Sequence, residues 1–437
     1  MTYAQYVAYK NSGLDVIGRL PAHWEVRSLR QIGRLLKGVG GSKEDIVAEG
    51  IPCVRYGDLY TTHSEFIEHA RTFLSKERAS AYTRIQYGDV LFAASGEKLD
   101  EIGKSAVNLL RGHVRCGGDL IVLRPTIPMV PRFFGYAGDA ASAVAQKTTM
   151  GRGTTVKHIY PDELRNLVLA VPPIPEQQAI AEFLDRRTAA IDALIAKKER
   201  LLKLLAEKRQ AVIAHAVTKG LDADVRLEST GVEWLQHIPQ HWRVAALKHL
   251  VTFQRGHDLP SESRTPGEYP IVSSAGVIGT HVECAARGPG IVTGRYGSIG
   301  TFHVVDGDYW PLNTALYSTS LHGNVPRYVA GVLACLSQYF EMESKKSAVP
   351  GIDRNDMHVY RVPIPPVHEQ QRIVDYLTPA LRLLEDSVAR VHALLAGLRE
   401  YRQALITAAV TGKIDVTKAE TPKQNKRAAE QMELELA

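Results

Sequence analysis

The 437-residue chain has few cysteines and no long apolar run, and these absences exclude several classes of protein. Its four cysteines are scattered singly, without a Cys-x-x-Cys pair, so neither a disulfide framework nor a zinc site is expected. The longest apolar runs fall well short of the roughly 18 residues that a membrane-spanning helix needs. The N-terminus has neither the basic nor the apolar region of a secretory signal, so we expect a cytoplasmic protein.

The sequence also lacks the motifs of the common enzyme classes. It has no Gly-x-Ser-x-Gly, no His-Glu-x-x-His, no glycine-rich cofactor loop and no Asn/Asp-Pro-Pro-aromatic tetrad of the kind used in base methylation. Gly103-Lys104-Ser105 resembles the end of a phosphate-binding loop, but six residues instead of four separate it from Gly96. Asp162 and Glu163 are a carboxylate pair without the rest of a nuclease motif. We therefore predict a protein that is not catalytic alone and that holds no cofactor or metal.

The charge of the chain permits a polyanionic partner without requiring one. The formal net charge is +6, with 53 basic and 47 acidic residues. The excess is spread along the sequence, so any contact with DNA must come from local clusters of basic residues.

What the sequence does contain is an internal repeat. Pro-Ala-His-Trp at 21–24 recurs as Pro-Gln-His-Trp at 239–242, an offset of 218 (239 − 21). Pro-Pro-Ile-Pro-Glu-Gln-Gln at 172–178 recurs as Pro-Pro-Val-His-Glu-Gln-Gln at 365–371, an offset of 193 (365 − 172). The second copy is thus about 25 residues shorter (218 − 193), and two copies with a shared frame and different interiors suggest two related but different recognition tasks. The recurring tryptophans are interpreted as core anchors and the histidines beside them as structural.

A long helical segment follows each globular part. From Glu176 to Val217 there is no glycine or proline, and apolar residues return every three or four positions. The apolar residues that form one seam along this segment are Leu184, Ile191, Leu194, Leu201, Leu205 and Val212. Five of these six positions are again apolar 193 residues later, at Leu377, Leu384, Leu394, Leu398 and Leu405. This seam predicts a coiled coil, about 63 Å long for about 42 residues, and the globular part between the two segments makes an antiparallel pair the simplest arrangement. Its polar positions either lie at a solvated edge or set the register and meet another subunit; they are Arg187, Lys198, Lys208, His215, Ser387 and Tyr401.

The predicted fold class is α+β: two mixed α/β domains separated by two long helices that form an antiparallel coiled coil, with an internal pseudo-twofold repeat. The predicted boundaries are 1–172 for the first domain, 173–220 for the first spacer helix, 221–366 for the second domain, 367–411 for the second spacer helix and 412–437 for a flexible C-terminal tail with a short Glu/Leu helix.

Basic residues beside loops of small residues are the candidate DNA contacts. Such loops let backbone N–H groups approach phosphate, and Arg or Lys can bind guanine edges. In the first domain the candidates are Lys37, Lys43, Lys98, Arg152, Thr154, Thr155 and Lys157, and in the second they are Arg255, Arg295, Tyr296, Ser298, Lys345, Lys346 and Arg354. Any one of them could instead be an ordinary solvated surface residue.

The order of these motifs resembles the specificity subunit of type I restriction–modification enzymes. The matching pieces cover about residues 12–416: the two openings that end in Trp24 and Trp242, the loop 151–157, the two Glu-Gln-Gln helix starts, and the segments 274–280 and 310–316. Where the first copy has Gly-Thr-Thr-Val at 153–156, the second has Val-Pro-Gly-Ile at 349–352, so the two loops need not have the same role.

The resemblance implies a function and a set of partners. Each globular part would be a target recognition domain that reads one half of a split site in double-stranded DNA. The two helices would set the spacing and dock two modification subunits, which hold S-adenosylmethionine and methylate adenine. A restriction and motor subunit would use ATP and Mg²⁺, and none of these cofactors would bind to this chain.

Two other functions remain open. A self-contained methyltransferase or nuclease would be favoured by methyl transfer by the purified chain. A coiled-coil scaffold without a DNA role would be contradicted by salt-dependent DNA binding. The recognised DNA sequence itself cannot be derived, because readout depends on loop geometry and DNA shape.

Overall fold

The computed structural model describes residues 3–99, 101–346 and 350–418, and the chain divides into two compact units. Unit 1 is formed by residues 1–197 and 393–437, and unit 2 by residues 198–392. Because each long helix passes from one unit into the other, each unit contains one globular part and half of each helix.

The elements of the first globular part are β1 (Tyr9–Asn11), β2 (Arg19–Pro21), β3 (Glu25–Ser28), α1 (Leu29–Ile32), β4 (Gly33–Lys37), β5 (Ile46–Val47), β6 (Ile51–Val54), α2 (Tyr56–Thr61), β7 (Phe66–Ile67), β8 (Thr72–Leu74), α3 (Lys76–Ala79), β9 (Thr83–Ile85), β10 (Val90–Ala93), β11 (Ser95–Gly96), β12 (Ser105–Asn108), β13 (Val114–Cys116), β14 (Leu120–Pro125), α4 (Pro131–Gly138), α5 (Ala141–Met150), β15 (Lys157–His158), α6 (Pro161–Leu164) and β16 (Val168–Val171). The long helix α7 (Ile174–Lys219) follows.

The elements after it are β17 (Leu227–Ser229), β18 (His237–Pro239), β19 (Arg243–Ala246), β20 (Thr252–Arg255), β21 (Tyr269–Ser273), β22 (Gly276–His281), β23 (Gly290–Gly294), β24 (Phe302–Val305), β25 (Trp310–Pro311), β26 (Ala315–Ser320), α8 (Pro326–Cys335), α9 (Ser337–Ser344), α10 (Arg354–His358), β27 (Arg361–Ile364) and the second long helix α11 (Val367–Val410). Short 3-10 turns lie at Lys43–Asp45, Glu233–Leu235, Leu247–His249, Ser261–Ser263 and Val416–Lys418.

Each globular part is built on one main sheet with the same strand order. In unit 1 the order is β4-β14-β10-β12-β7, and in unit 2 it is β20-β26-β23-β24. The strand β10 is a short apolar run, Val-Leu-Phe-Ala, with all four residues buried, as expected for a strand covered on both faces. In unit 1 the helix α4 packs against β12, and in unit 2 the helix α8 packs against β24.

The two units differ mainly in a second sheet. Unit 1 has five strands in the order β5-β8-β6-β13-β9, whereas unit 2 has three in the order β22-β21-β25. The strand pairings of the two main sheets show where the second copy is shorter. Lys37 and Arg255 occupy equivalent positions at an offset of 218 (255 − 37), whereas Ala93 and Gly294 do so at an offset of 201 (294 − 93). Most of the length difference therefore lies between β4 and β10 in unit 1 and between the equivalent strands β20 and β23 in unit 2. The repeat keeps its frame and changes the sheet that stands beside it.

The repeated sequence motifs form the same hydrogen-bonded latch in each unit. In unit 1, Glu176 accepts a hydrogen bond from Trp24 Nε1 at 2.9 Å, and its other oxygen lies 2.6 Å from His23 Nε2. In unit 2, Glu369 makes the same contacts with Trp242 at 2.9 Å and His241 at 2.8 Å. The indole rings are buried while the histidines are half exposed, so the interpretation of the His-Trp pairs as core anchor and structural histidine is confirmed.

The glutamine after each latch glutamate fixes the helix to the domain. Gln177 donates to the Pro172 carbonyl and accepts from the Val130 N–H, both at 2.9 Å. Gln370 makes the equivalent bonds in unit 2, to the carbonyl of Pro365 and the N–H of Val325. The Glu-Gln-Gln motif thus joins the first turn of each long helix to its own globular part.

The latch carries a stability prediction. We expect Glu369→Ala to lower the free energy of unfolding by about 1–3 kcal/mol, because the part-buried Trp242 N–H loses its acceptor. Urea unfolding of the full chain measures the change. Glu385→Ala, which removes an exposed glutamate of the same helix, is the matched control and should stay within about 0.5 kcal/mol. Equal midpoints for the two variants would contradict the latch.

The long helices pair antiparallel within each unit. In unit 1, Leu184 and Ile191 of α7 share a core with Leu398 and Leu405 of α11. In unit 2, the C-terminal part of α7 shares a core with the N-terminal part of α11, through Ile213, Val217, Ile373 and Leu377. The start of one helix therefore lies with the end of the other in both cores, as the seam predicted. Two features differ from a regular closed coil: the seam residue Leu201 is 37% exposed, and Pro379 lies inside α11 without ending it.

The chain beyond α11 returns to the core of unit 1. Gly412, at φ +70, lies against Pro21 and Trp24, where a side chain would have no room. Ile414 and Val416 are buried, and the Asp415 N–H donates to the Ala4 carbonyl. Residues 419–437, which hold the rest of the predicted tail and its Glu/Leu helix, lie outside the described residues. Within the described ranges, no helix combines the length and apolar character required to cross a membrane.

Candidate nucleic-acid interface

In unit 1 the basic loops leave the main sheet at one end of its strands, where β4 and β10 end; this edge is the end of the strands and not an outer strand. The strand β4 ends at Lys37, which pairs with Ile121, and β10 ends at Ala93, which pairs with Leu120. Because β14 lies between them, the loops that follow Lys37 and Ala93 emerge side by side. A Cβ added at Gly38 would overlap the Gly117 carbonyl oxygen, so the residue after Lys37 must be glycine.

The loop 151–157 joins the same edge. The short strands β11 and β15 pair Ser95 with His158, and the side chains of these residues lie 3.0 Å apart from Oγ to Nδ1. The Lys157 ammonium donates to the carbonyls of Gly153 and Thr154, at 2.6 and 2.7 Å. Lys157 therefore holds the shape of its own loop, which leaves Thr154 at an exposed tip.

Two further candidates of unit 1 are exposed and form ion pairs. Arg152 is 72% exposed and pairs with Glu163 at 3.0 Å, while Lys98 pairs with Glu101 at 3.0 Å. Lys37 and Thr155 are exposed. Lys43 begins a 3-10 turn.

Unit 2 has the same edge with different side chains. Arg255 ends β20 and pairs with Leu316, and Arg295 follows β23, whose last residue pairs with Ala315. The strand β26 again lies between the two. The Arg295 guanidinium stacks 4.8 Å above the ring of Tyr296, a geometry that keeps both groups at the surface of the loop. Ser298 is half-buried in the same loop.

The later candidates of unit 2 approach this loop. The Ile352 N–H donates to the Arg295 carbonyl at 3.0 Å, as the Ile159 N–H donates to Ala94 in unit 1. Gly351 lies against the Tyr296 ring and its N–H donates to the Ser344 carbonyl, which brings Lys345 and Lys346 near. Lys345 is exposed, and Lys346 pairs with Glu343 at 2.6 Å. Arg354 is exposed and begins α10, behind the capping carboxylate of Asp353.

Two features of the site have no signature in the sequence. Arg55, between β6 of the second sheet and α2 in unit 1, donates to the Gly41 carbonyl at 3.2 Å and supports the glycine loop after Lys37. Lys147 is 1% exposed and donates to the carbonyls of Gly103 and Gly138 and to Asp139. Arg55 belongs to a segment without a partner in the repeat, and Lys147 lies in a helix where a surface position would be expected. Neither position could have been selected from spacing alone.

Three of the four thiols are poor nucleophiles. All four cysteines are unpaired. Burial raises the pKa of Cys53, Cys116 and Cys335 to about 12, so these thiols stay protonated at neutral pH. Across residues 3–99, 101–346 and 350–418, no three His, Cys, Asp or Glu side chains converge as metal ligands would.

The two matching edges define a duplicated α+β protein with two related loop surfaces. The model of the family described as type I restriction modification DNA specificity domain matches residues 21–204 and 239–389. These two ranges cover more than half of the chain, once for each globular part. The chain belongs to this family.

Curated relatives agree with this assignment, and a solved structure shares the fold. The chain is 23% identical over 440 residues to the type I restriction enzyme EcoKI specificity subunit of Escherichia coli strain K12, covering 93% of this chain and 92% of that protein. It is 25% identical over 323 residues to the EcoBI specificity subunit of Escherichia coli, covering 67% of each. A chain in a solved structure described as "Structural basis underlying complex assembly and conformational transition of the type I R-M system" matches with a TM-score of 0.70 at 18% identity, covering 90% of this chain and 98% of that one, and it shares the fold.

Proposed function

We propose that this chain is the DNA sequence-specificity subunit of a type I restriction–modification complex. Each globular part reads one half of a bipartite site in double-stranded DNA. The observation that carries the proposal is the repeated sheet edge: Lys37 and Arg255 end equivalent strands, and each is followed by a glycine that packs against a backbone carbonyl of the protein, so the two loops begin in the same way. A basic side chain at the start of such a loop can contact phosphate or a base edge. Family membership supports the same function.

The parts of the chain have separate roles in this proposal. Residues 1–172 and 221–366 are the target recognition domains, 173–220 and 367–411 are the spacer helices, and 412–437 is the tail. The helices set the distance between the half-sites and dock two modification subunits, which in turn allow restriction and motor subunits to join. The chain is not catalytic alone. S-adenosylmethionine, ATP and Mg²⁺ are bound by the partner subunits, and the complex acts on DNA in the cytoplasm.

The test is co-expression with a modification subunit of the same system, followed by mapping of the methylated adenines. We expect a site made of two short specific parts separated by a spacer of arbitrary sequence. A continuous site would contradict the model of two readers. Methylation by the chain without a modification subunit would contradict its non-catalytic role.

Charge removal at one edge should alter one half-site only. We expect Arg255→Ala or Arg295→Ala to weaken DNA binding by about 1–3 kcal/mol and to relax the half-site read by unit 2, since an arginine that forks onto guanine contributes about that discrimination. Lys37→Ala should affect the other half-site. Binding to oligonucleotides with one half-site randomised at a time separates the two. Arg243→Ala, an exposed arginine on β19, is the control and should leave both half-sites unchanged. Equal loss on both half-sites from Arg255→Ala would refute the assignment.

A further inference from the structure

Unit 2 has an open groove beside the outer strand of its main sheet. The strand β24 is the edge of the order β20-β26-β23-β24. A cavity of about 1010 Å³ lies between this strand and the helices α7, α8 and α11, with Phe302, Val304, Gly331 and Leu377 among its walls. Three arginines and two carboxylates also line it, so the groove is amphipathic and charged; they are Arg209, Arg327, Arg382, Glu385 and Asp386.

In unit 1 the equivalent edge is covered by the chain itself. The strand β7 pairs in parallel with β12, with Phe66 opposite Val107. The N–H groups of Val107 and Leu109 donate to the carbonyls of Glu65 and Ile67, both at 3.0 Å. A short extended segment, Glu65-Phe66-Ile67-Glu68, therefore completes the sheet.

Two arginines and an aromatic ring hold this segment in place. Arg402 of α11 pairs with Glu65 at 2.6 Å, and Arg132 of α4 pairs with Glu68 at 3.1 Å. The Arg132 guanidinium lies 4.5 Å above the Phe66 ring, and that ring meets Tyr136 edge-on, with centroids 5.1 Å apart. The segment is thus held by charge at both ends and by aromatic contact in the middle.

The internal repeat identifies the same elements in unit 2. Gln403 donates to the Asp139 carbonyl in unit 1, and Gln210 donates to the Ala334 carbonyl in unit 2, which aligns α11 with α7 at 193 (403 − 210) and α4 with α8 at 195 (334 − 139). Arg209 is therefore the counterpart of Arg402, and Arg327 the counterpart of Arg132. Both cations are present in the groove, and Arg327 also lies 3.3 Å from the exposed carboxylate of Asp306, which a ligand carboxylate would have to replace.

The segment that they would hold is missing from unit 2. Residues 65–68 fall between β4 and β10, the stretch that is 17 residues shorter in the second copy (218 − 201). Val304 pairs with Ile291 as Val107 pairs with Val90, so the same register turns the Val304 N–H outward. In the described part of unit 2, no strand pairs with the outer side of β24. An open edge of this kind is a site for strand addition.

Two side-chain differences change the shape of the pocket. Gly135, against which the Phe66 ring packs in unit 1, corresponds to Ala330, whose methyl group would push a ring out of that position. Tyr136 corresponds to Gly331, a wall of the groove that has no side chain to fill the place of the Tyr136 ring; a Cβ there would lie 3.0 Å from Val217 Cγ1. An aromatic ring in unit 2 would therefore sit over Gly331, one ring position away from the place of Phe66.

We propose that this groove binds an extended segment of a partner protein with the pattern acidic, aromatic, aliphatic, acidic. The segment adds in parallel to β24, seats its ring over Gly331, and pairs its carboxylates with Arg209 and Arg327. The argument rests on charge complementarity and on the occupied counterpart in unit 1. It is independent of DNA recognition, so a full chain that fails to bind such a segment can still bind its DNA site.

The probe is a fluorescently labelled peptide that copies residues 62–71 of this chain, which include Glu65, Phe66 and Glu68. We expect saturable binding to the full chain, measured by anisotropy. Phe66→Ser in the peptide should weaken binding tenfold or more, because the ring volume is left empty. Gly331→Tyr in the chain should abolish binding by restoring the side chain that fills this volume in unit 1.

A second set of variants, in which the charges of chain and peptide are exchanged, keeps the proposal testable if Gly331→Tyr does not fold. Arg209→Glu with Arg327→Glu should abolish binding of the peptide, and a peptide with both glutamates replaced by lysine should bind this double variant. Arg243→Glu, an exposed arginine of unit 2 that does not line the groove, is the matched control and should bind the original peptide normally.

Three results would overturn the proposal. One is the absence of saturable binding at peptide concentrations up to about 1 mM, because a Kd above about 1 mM corresponds to a binding free energy weaker than about 4 kcal/mol. Another is unchanged binding by the double arginine variant. The third is binding by a chain that ends at Lys418 when the full chain does not bind. That result would assign the groove to the acidic and apolar C-terminal residues 430–437 of this chain instead of to a partner.

Discussion

Replacing Asp139 by alanine is expected to lower the free energy of unfolding of unit 1 by about 3–5 kcal/mol, the range for a buried ion pair that loses one partner. Lys147, 1% exposed, donates all three of its N–H groups to oxygen atoms, one of them on Asp139. Without that carboxylate the ammonium remains buried with only two neutral carbonyl acceptors. The second cation beside Asp139, Lys104 at 3.1 Å, also loses its partner.

The same pair predicts the direction of the pH dependence. Burial alone would raise the pKa of Asp139, but the charges of Lys147 and Lys104 hold that pKa below its ordinary value. Burial lowers the pKa of Lys147, and the charge and the hydrogen bond of Asp139 oppose that shift. A carboxyl whose pKa is lower in the folded state stabilises the fold above its unfolded pKa, about 3.9, and loses that contribution as the pH falls through the folded pKa.

Urea unfolding at neutral pH and at acidic pH measures both effects. The difference in free energy of unfolding between the wild-type chain and Asp139→Ala should be largest at neutral pH and should decrease below pH about 4. Asp162→Ala is the matched control, because Asp162 is 86% exposed and pairs only with a surface arginine. A loss below about 1 kcal/mol for Asp139→Ala would show that the buried pair contributes no more than a surface pair.

Shortening both long helices is expected to shorten the spacer in the recognised DNA site. Four residues are close to one turn of 3.6, so deleting Lys198–Leu201 from α7 and the equivalent Val391–Leu394 from α11 removes about 6 Å from each helix while nearly preserving the apolar faces. The two deletions are related by the 193 offset, and so the internal repeat is retained. At about 3.4 Å per base pair, the spacer should lose about two base pairs.

Mapping of methylated adenines in cells that express the modification subunit gives the readout. The half-site sequences should stay the same while the spacer changes. Deletion from α7 alone should instead reduce assembly, because the apolar seams in the cores of both units lose register. An unchanged spacer after the paired deletion would show that the helices do not measure the site.

Much of the architecture was readable from the sequence because it rests on local patterns and on the repeat. The apolar periodicity from Glu176 to Val217 predicted a long helix that needs a partner, and α7 and α11 pair antiparallel in both cores. The two tryptophans of the His-Trp pairs were correctly assigned to the core. The assignment of basic residues such as Lys37 and Arg255 to DNA contact stays a prediction, and its basis is now their shared place at one sheet edge.

The latches and the groove could not be predicted in this way. Glu176 is 152 residues from Trp24, and no local pattern states that a carboxylate at a helix start will accept from an indole so far back in the chain. Lys157 was selected as a DNA contact for its charge, yet its ammonium binds the carbonyls of its own loop. The groove depends on residues that the second copy lacks, and a missing segment becomes visible only when the two sheets are compared strand by strand.

The sequence by itself determined the duplication, the helical spacers and the absence of recognised catalytic motifs, because these follow from identity, periodicity and motif spacing along one chain. Only the tertiary structure decided which loops share an edge, which charge is buried at Lys147, and that β24 is open where β12 is covered. The physical reason is that sheet register and side-chain burial are set by contacts between residues far apart in sequence, whose energies no local pattern contains.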